Sequence, residues 1–370
     1  MLAQANQAGQ PVVVRGAATK LDWGGTAASD AVELSTTGLA RLSEHNAGDL
    51  TAIAEPGLPL ATAQSAFSEA GQMLALDPPL GSERAATLGG IVASGDSGPL
   101  RHRYGSARDL VIGITVALAD GTIAKSGGRV IKNVAGYDLA KLFAGSFGTL
   151  GAIVELCVRL HPLPPERVTA LAVSDDTEAI ATAASTLAHA PLELESLDVG
   201  LVADGRAAVL ARLAGAAPAR AAEPALALIR EAGLSPELAE EDDALWAFQR
   251  DSQRSAHGTV VRVSATQTQL GRVLASAKRA GARVVGRAAL GLSWVTLDER
   301  SAAEQADAVA ELRASLSPSP CAVLDAPAEV RELLEPWPAP EPGALELMRR
   351  VKERFDPSQT LAPGSFVGGI

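Results

Sequence analysis

Three short stretches of this 370-residue chain place glycine and other small residues where a backbone must approach something large. The first, Gly16-Ala17-Ala18-Thr19-Lys20, follows directly on the β-branched run Pro11-Val12-Val13-Val14-Arg15. Small side chains there let successive backbone N–H groups converge on an anion, and Thr19 and Lys20 add side-chain donors. The second, Ala86-Thr87-Leu88-Gly89-Gly90-Ile91-Val92-Ala93-Ser94-Gly95, contains no charged or bulky polar residue. Read as a loop, it admits a flat ring or a diphosphate against main chain that a larger Cβ would obstruct. Asp77-Pro78-Pro79 precedes it as a rigid turn, and Tyr104-Gly105 follows. The third runs from Lys132-Asn133-Val134-Ala135-Gly136-Tyr137-Asp138 to Gly145-Ser146-Phe147-Gly148-Thr149-Leu150-Gly151, at a helix-to-strand junction. Glycine at every third position there suits a helix C-cap followed by a bulge, and equally a loop packed against a cofactor.

Other chemistries find little support. No G-x-G-x-x-G opens a helix with an acidic residue about 20 positions on, and no Walker A lysine appears. The five histidines, His45, His102, His161, His189 and His257, lack metal-ligand spacing, so no metal site is expected. Two cysteines, Cys157 and Cys321, are too few for an iron–sulfur cluster or a disulfide framework. A net charge of -11 without a dense basic cluster, together with only 3% aromatic residues, argues against a nucleic-acid partner. Met1-Leu2-Ala3-Gln4-Ala5-Asn6-Gln7 has neither a basic n-region nor an apolar h-region, and no uncharged apolar run reaches about 18 residues. A cytoplasmic protein without a membrane span is expected, with any membrane association made through partners.

The elements that must position these segments are legible from pattern. Residues 11–160 read as short strands joined by tight loops: Pro11–Arg15, Leu34–Gly38, Thr51–Glu55 and Gly151–Leu160, with a helix from Pro59 to the stop at Gly71. Asp109 to Lys125 reads as a hairpin turning at Asp120-Gly121. His161-Pro162-Leu163-Pro164-Pro165 is the strongest boundary signal in the chain. Beyond it, Ala-rich amphipathic helices alternate with strand runs such as Thr259–Val263 and Leu292–Leu297, the pattern of an α+β domain. A proline-rich linker, residues 336–342, leads to a final helix from Ala344 to Phe355, ended by Asp356-Pro357. The expected domains are therefore 1–165, 166–335 and a terminal segment 336–370 that returns to the first.

In order, R-G-x-x-T-K, D-P-P, A-T-L-G-G-x-x-A-S-x-x-S-G-P, R-Y-G, D-G, K-N-V-A-G-Y-D-L and G-S-F-G-T-L-G resemble the FAD-binding domain of the vanillyl-alcohol oxidase type, from about Pro11 to Pro165. The string Arg129 to Leu139 is similar to FAD-binding E subunits of bacterial glycolate oxidase. Weaker likenesses follow in Trp246–Arg250, Val261–Ser264 and Phe355–Pro357. The resemblance implies a two-lobed FAD-binding domain, a smaller α+β cap-like domain and a C-terminal helix. It implies that Gly16, Ala17, Ala18, Thr19 and Lys20, with Pro78 and with Thr87, Leu88, Gly89, Gly90, Ala93, Ser94 and Gly95, hold the FAD diphosphate and flank the flavin. Gly148, Gly151 and Ile153 would line the adenine or ring side. Many relatives attach FAD through a histidine in the first loop; Ala18, Thr19 and Lys20 offer none, so the FAD is expected to be non-covalent. The chain opens only ten residues before Pro11, short of the strand and helix usual in relatives. The family's terminal N-P-G-R stands here as Ala362-Pro363-Gly364-Ser365.

Oxidising a 2-hydroxy acid takes a base for the hydroxyl and cations for the carboxylate. The histidine-rich metal motif of substrate-oxidising relatives has no counterpart in this sequence. Arg101, Arg103, Arg262 and His257 are the candidates left, each equally readable as a surface or packing residue, and no catalytic residue is assigned. The resemblance implies an FAD-binding subunit of a glycolate (2-hydroxy acid) oxidase complex, partnered by a second FAD-containing subunit and an iron–sulfur subunit. A free-standing FAD-dependent dehydrogenase or oxidase of another small hydroxy acid, and a non-catalytic FAD-binding scaffold, remain the alternatives.

Overall fold

The computed structural model describes residues 1–129, 138–298 and 300–370; the motif from Lys132 to Tyr137 lies outside the described residues. Contacts divide the chain into two units. One comprises Met1–Ser97, Tyr104–Leu163 and Ala339–Ile370, the other Gly98–Arg103 and Pro164–Pro338.

Three sheets build the described part of the first unit. Strand β1 (Val12–Arg15), a β-branched run that favours extended backbone, pairs in parallel with β2 (Val32–Ser35). On its other side, the Val12 N–H donates to the Thr360 carbonyl at 2.7 Å, and the Ala362 N–H donates to the Val12 carbonyl at 2.8 Å. The C-terminal tail thus closes the edge that β1 would otherwise expose. Strands β3 (Leu42–Asn46), β4 (Thr51–Ala54), β6 (Val111–Ala117), β7 (Ile123–Gly127) and β8 (Ala152–Arg159) form an antiparallel sheet in the order β3-β4-β8-β6-β7. A two-residue pair, β5 (Gln72–Met73) with β9 (His161–Pro162), completes the unit's strands. Every residue of β4 is buried, while β3 at the sheet edge is largely exposed and polar, which is why its sequence carried no strand signal.

Local chemistry shifts several expected boundaries. The strand expected at Leu34–Gly38 is instead Val32–Ser35. Ser35 Oγ and Thr37 Oγ1 stand 2.9 Å apart, a local side-chain contact that favours a turn over extension. The hairpin begins at Val111 rather than Asp109, because Asp109 completes a capping box with Ser106 at the Ala107–Leu110 helix. Its turn is as expected: Gly121 has φ +89°, and the Asp120 carboxylate accepts from the Thr122 N–H at 2.8 Å. The largest correction concerns the second glycine segment, which is not a loop. Leu88–Ser94 is a helix, started by Thr87 and stopped by Gly95 in the left-handed region.

The second unit is an eight-stranded antiparallel sheet, comprising β10 (Glu166–Ser174), β11 (Leu194–Leu201), β12 (Ala207–Gly215), β13 (Glu237–Ala239), β14 (Thr259–Ser264), β15 (Arg283–Arg287), β16 (Leu292–Leu297) and β17 (Cys321–Asp325). The strand order is β13-β10-β12-β11-β15-β16-β14-β17. Val199, Val209, Val261 and Val295 belong to one buried cluster with residues of the Thr177–His189, Leu270–Arg279 and Ala302–Leu316 helices. Alternate positions carry polar groups toward the opposite face. There Asp198 of β11 lies directly across from Arg287 of β15, with Arg287 Nη1 2.5 Å from Asp198 Oδ2 and both side chains wholly buried. Burial pushes the Asp198 carboxyl up to about 7 while the Arg287 guanidinium pulls the other way. Because a guanidinium does not give up its proton, the ionised carboxylate is the form that answers it.

Replacing Asp198 by Ala leaves that guanidinium buried without its counter-charge, a loss of about 3–5 kcal/mol. Urea denaturation of Asp198→Ala should show it; a loss below about 1 kcal/mol would mean that Gln253 and the Trp294 ring suffice to hold Arg287.

Candidate cofactor site

A cleft of about 960 Å³, its open mouth included, lies within the first unit. Each of the three glycine segments contributes to its wall. Gly16, Ala17, Ala18, Thr19 and Lys20 form one side. Thr87, Gly89, Gly90, Ala93 and Ser94 of the Leu88–Ser94 helix form the second, and Gly148, Gly151 and Ile153 the third. The Gly145–Gly151 stretch is therefore a cleft-lining loop and not a C-cap alone.

Pro78, Leu88 and Gly95, grouped with these from sequence, do not line the cleft. Leu88 is core, at 1% exposure, and Pro78 is buried. Gly95 ends the helix, its N–H bonded to the Val92 carbonyl at 3.1 Å. Sequence reasoning missed Val14, Trp23, Pro56, Phe147, Ala362 and Ser365. Phe147 and Val14 lie in or beside recognised segments and Ala362 and Ser365 in the degenerate terminal motif, whereas Trp23 and Pro56 had no signal.

The glycines do different work. A Cβ on Gly16 would stand 2.3 Å from Thr87 Oγ1, and one on Gly89 would stand 2.6 Å from the Pro56 Cβ. Both are needed because protein packs against protein. Gly90 and Gly148 differ: an added Cβ would meet only Thr87 Oγ1 at 3.2 Å at Gly90, and nothing within 4 Å at Gly148. Those two face open space in a cleft, the arrangement a bulky planar ligand requires.

Charge and donors also divide unevenly. Among the described residues, Lys20 is the one ionisable side chain of the lining. Its ammonium lies 3.2 Å from the buried Asp96 carboxylate and donates to the Pro79 carbonyl at 3.2 Å. That contact neutralises the charge within the wall, so Lys20 braces the loop. The helix offers few amides, because Leu88 N–H donates to the Leu58 carbonyl at 2.9 Å and Gly89 N–H to the Pro56 carbonyl at 2.7 Å. It supplies a flat surface, which leaves the first loop as the segment whose amides can converge on an anion. In that loop Ala18 takes φ +60°, a left-handed conformation that costs an alanine roughly 1–2 kcal/mol. Such a reversal of handedness is how successive amides come to point at one anion.

None of Arg101, Arg103, Arg262 and His257 lines the cleft. Arg103 pairs with Glu193 at 3.3 Å, His257 is exposed, and Arg262 lies on β14 across from Trp294 of β16. Among the described residues no group of three or more His, Cys, Asp and Glu side chains is placed to hold a metal ion. No helix among the described residues is long and apolar enough to cross a membrane.

Comparison with known proteins accords with this geometry. Residues 1–127 match the FAD binding domain family, and residues 339–366 match the C-terminal domain of FAD linked oxidases. Glycolate oxidase subunit GlcD of Bacillus subtilis is 36% identical over 191 residues, which is 51% of this chain and 40% of that protein. Glycolate oxidase subunit GlcE of Escherichia coli is 37% identical over 167 residues, 44% of this chain and 47% of its own. A D-2-hydroxyglutarate dehydrogenase of Xanthomonas citri is 34% identical over 170 residues, 46% and 36% of the two chains. The matched regions thus span less than half the length of these relatives. In fold, the chain is similar to alkyldihydroxyacetonephosphate synthase, with a TM-score of 0.72 over 98% of this chain and 73% of that one, at 14% identity. Apart from Gly98–Arg103, both matched stretches fall in the first unit and resemble domains of FAD-linked oxidases, which indicates FAD as the cofactor.

A side chain at position 90 would project into the cleft, with Thr87 Oγ1 giving way by a few tenths of an ångström. Gly90→Trp is therefore expected to weaken FAD binding by about 100-fold or more, worth ~3 kcal/mol, with the thermal midpoint of the FAD-free protein essentially unchanged. Full FAD occupancy in the variant would place the cofactor elsewhere.

Proposed function

We propose that this chain, an FAD-linked oxidoreductase, holds its FAD non-covalently in the first-unit cleft and serves as the FAD-binding subunit of a complex that oxidises a 2-hydroxy acid such as glycolate. The observation that carries this reading is the cleft itself: three separated glycine segments meet around a space with no charged side chain free to act. Bound there, FAD would supply a two-electron acceptor. The chain's own part is to bind and orient it. The Ala17–Lys20 backbone would hold the diphosphate, the Gly89–Gly90 surface would lie against the ring system, and Gly148 with Ile153 would close the far side. Ala18, Thr19 and Lys20 of the first loop offer no histidine to which the flavin could be attached.

That the described residues of the lining include no unpaired base favours a subunit over a free-standing enzyme. Among the described residues, Lys20 is the one ionisable side chain of the lining, and it is paired with Asp96. A positioned general base is worth about 10²–10⁴-fold in rate. Two relatives carry the names of glycolate oxidase subunits, which supports the same reading. Partners proposed on this basis are a second FAD-containing subunit, which would oxidise the substrate, and an iron–sulfur subunit, which would carry electrons onward. The complex would be cytoplasmic, reaching a membrane only through those partners.

Two outcomes are expected. Acid precipitation of the FAD-loaded protein should leave flavin in the supernatant, whereas flavin retained on the denatured polypeptide would refute non-covalent binding. The isolated FAD-loaded chain should turn over glycolate or lactate with an artificial acceptor about 10²–10⁴-fold more slowly than the reconstituted complex. Equal rates would favour the free-standing enzyme.

A further inference from the structure

The Pro342–Phe355 helix is mostly exposed, yet near its end Lys352 is only 1% exposed. Its ammonium donates to three oxygens: the Asp356 carboxylate at 2.6 Å, the Leu361 carbonyl at 2.7 Å and the Thr149 carbonyl at 2.9 Å. That uses all three of its N–H groups. Asp356, wholly buried, in turn accepts from the Thr360 N–H at 3.1 Å and the Leu361 N–H at 2.7 Å. Burial lowers the Lys352 pKa, and the Asp356 carboxylate opposes that shift.

An i,i+4 ion pair that served only its helix would have no need of those backbone partners. Thr149 sits between Gly148 and Gly151, which line the cofactor cleft, and Leu361 adjoins Ala362, which lines it from the tail. One ammonium thus ties together two cleft walls that are far apart in sequence. Further along, the tail is fixed again. The Gly25 N–H donates to the Ser365 carbonyl at 2.9 Å, a Cβ on Gly25 would stand 2.3 Å from the Gly364 carbonyl oxygen, and the Phe366 ring lies 5.6 Å from that of Phe147.

We infer that Lys352, with Asp356, is a positioning residue for the cofactor: it sets the spacing between the Gly145–Gly151 loop and the C-terminal tail, so that FAD binding and the order of residues 360–365 are coupled. The inference rests on the cleft being the FAD site.

Two measurements on the full-length chain test it. In the wild type, loading with FAD is expected to slow hydrogen exchange at the Thr360, Leu361 and Ala362 amides by about 5- to 100-fold, the usual range of coupling between sites. Lys352→Met, which keeps the stem and drops the ammonium, should raise the FAD dissociation constant by a similar factor at a temperature where far-UV circular dichroism shows both proteins folded. Asp356→Asn, which keeps an acceptor for the tail amides, should lose less. A Lys352→Met protein that melts earlier but binds FAD with wild-type affinity overturns the inference, as does a wild type that binds FAD with unchanged tail exchange. Should Lys352→Met fail to fold, the wild-type exchange decides alone. A wild type that takes up no FAD removes the cofactor reading itself, an outcome distinct from the others.

Discussion

The first unit depends on one close approach, that of Gly16 to the hydroxyl of Thr87. No side chain fits between them, since even a Cβ would come within 2.3 Å of the oxygen. That contact brings the end of β1 against the start of the Leu88–Ser94 helix, and the same hydroxyl accepts from the Gly90 N–H at 3.4 Å. Loop and helix therefore share a fixed corner, and the cleft opens from it. The third wall has its own fixed point in the Lys352 ammonium. A ligand-sized space survives inside a packed unit because its borders are held by contacts that point away from it.

The two units place their polar groups differently. In the first, the lining is small and apolar, with its one ammonium neutralised by Asp96. In the second, charged side chains are buried on one sheet face: Asp198 with Arg287, and Arg212 with Asp242 at 2.5 Å. Burying ions costs several kcal/mol each unless partners answer them. Both units meet that cost with paired side chains, the first through Lys20 with Asp96 and Lys352 with Asp356. A cleft whose described lining has no unpaired charge can cradle a cofactor that brings its own reactivity.

Much of this was legible in sequence, and the failures have physical causes. Strands with β-branched, apolar runs, such as Leu292–Leu297 and Ala152–Arg159, declare themselves because burial selects those residues. β3 did not, because an edge strand facing water needs no apolar pattern. The helix at Leu88–Ser94 was hidden by Gly89 and Gly90, whose low helix propensity outweighed the flanking Thr87 and Gly95 caps. For the site, most of the cleft-lining residues lay within recognisable glycine segments. What no spacing rule reveals is contact between distant segments: Pro56 behind Gly89, Asp96 holding Lys20, and the tail residues Ala362 and Ser365 completing the wall. These arise only when the chain closes on itself.

The central claim is that the first unit binds FAD through this cleft. Its most direct test is to titrate FAD into FAD-free protein while following flavin fluorescence and absorbance. The account predicts saturation at one FAD per chain, with a flavin spectrum shifted from that of the free cofactor. A protein that is colourless as isolated and leaves added FAD unperturbed at every concentration would contradict it.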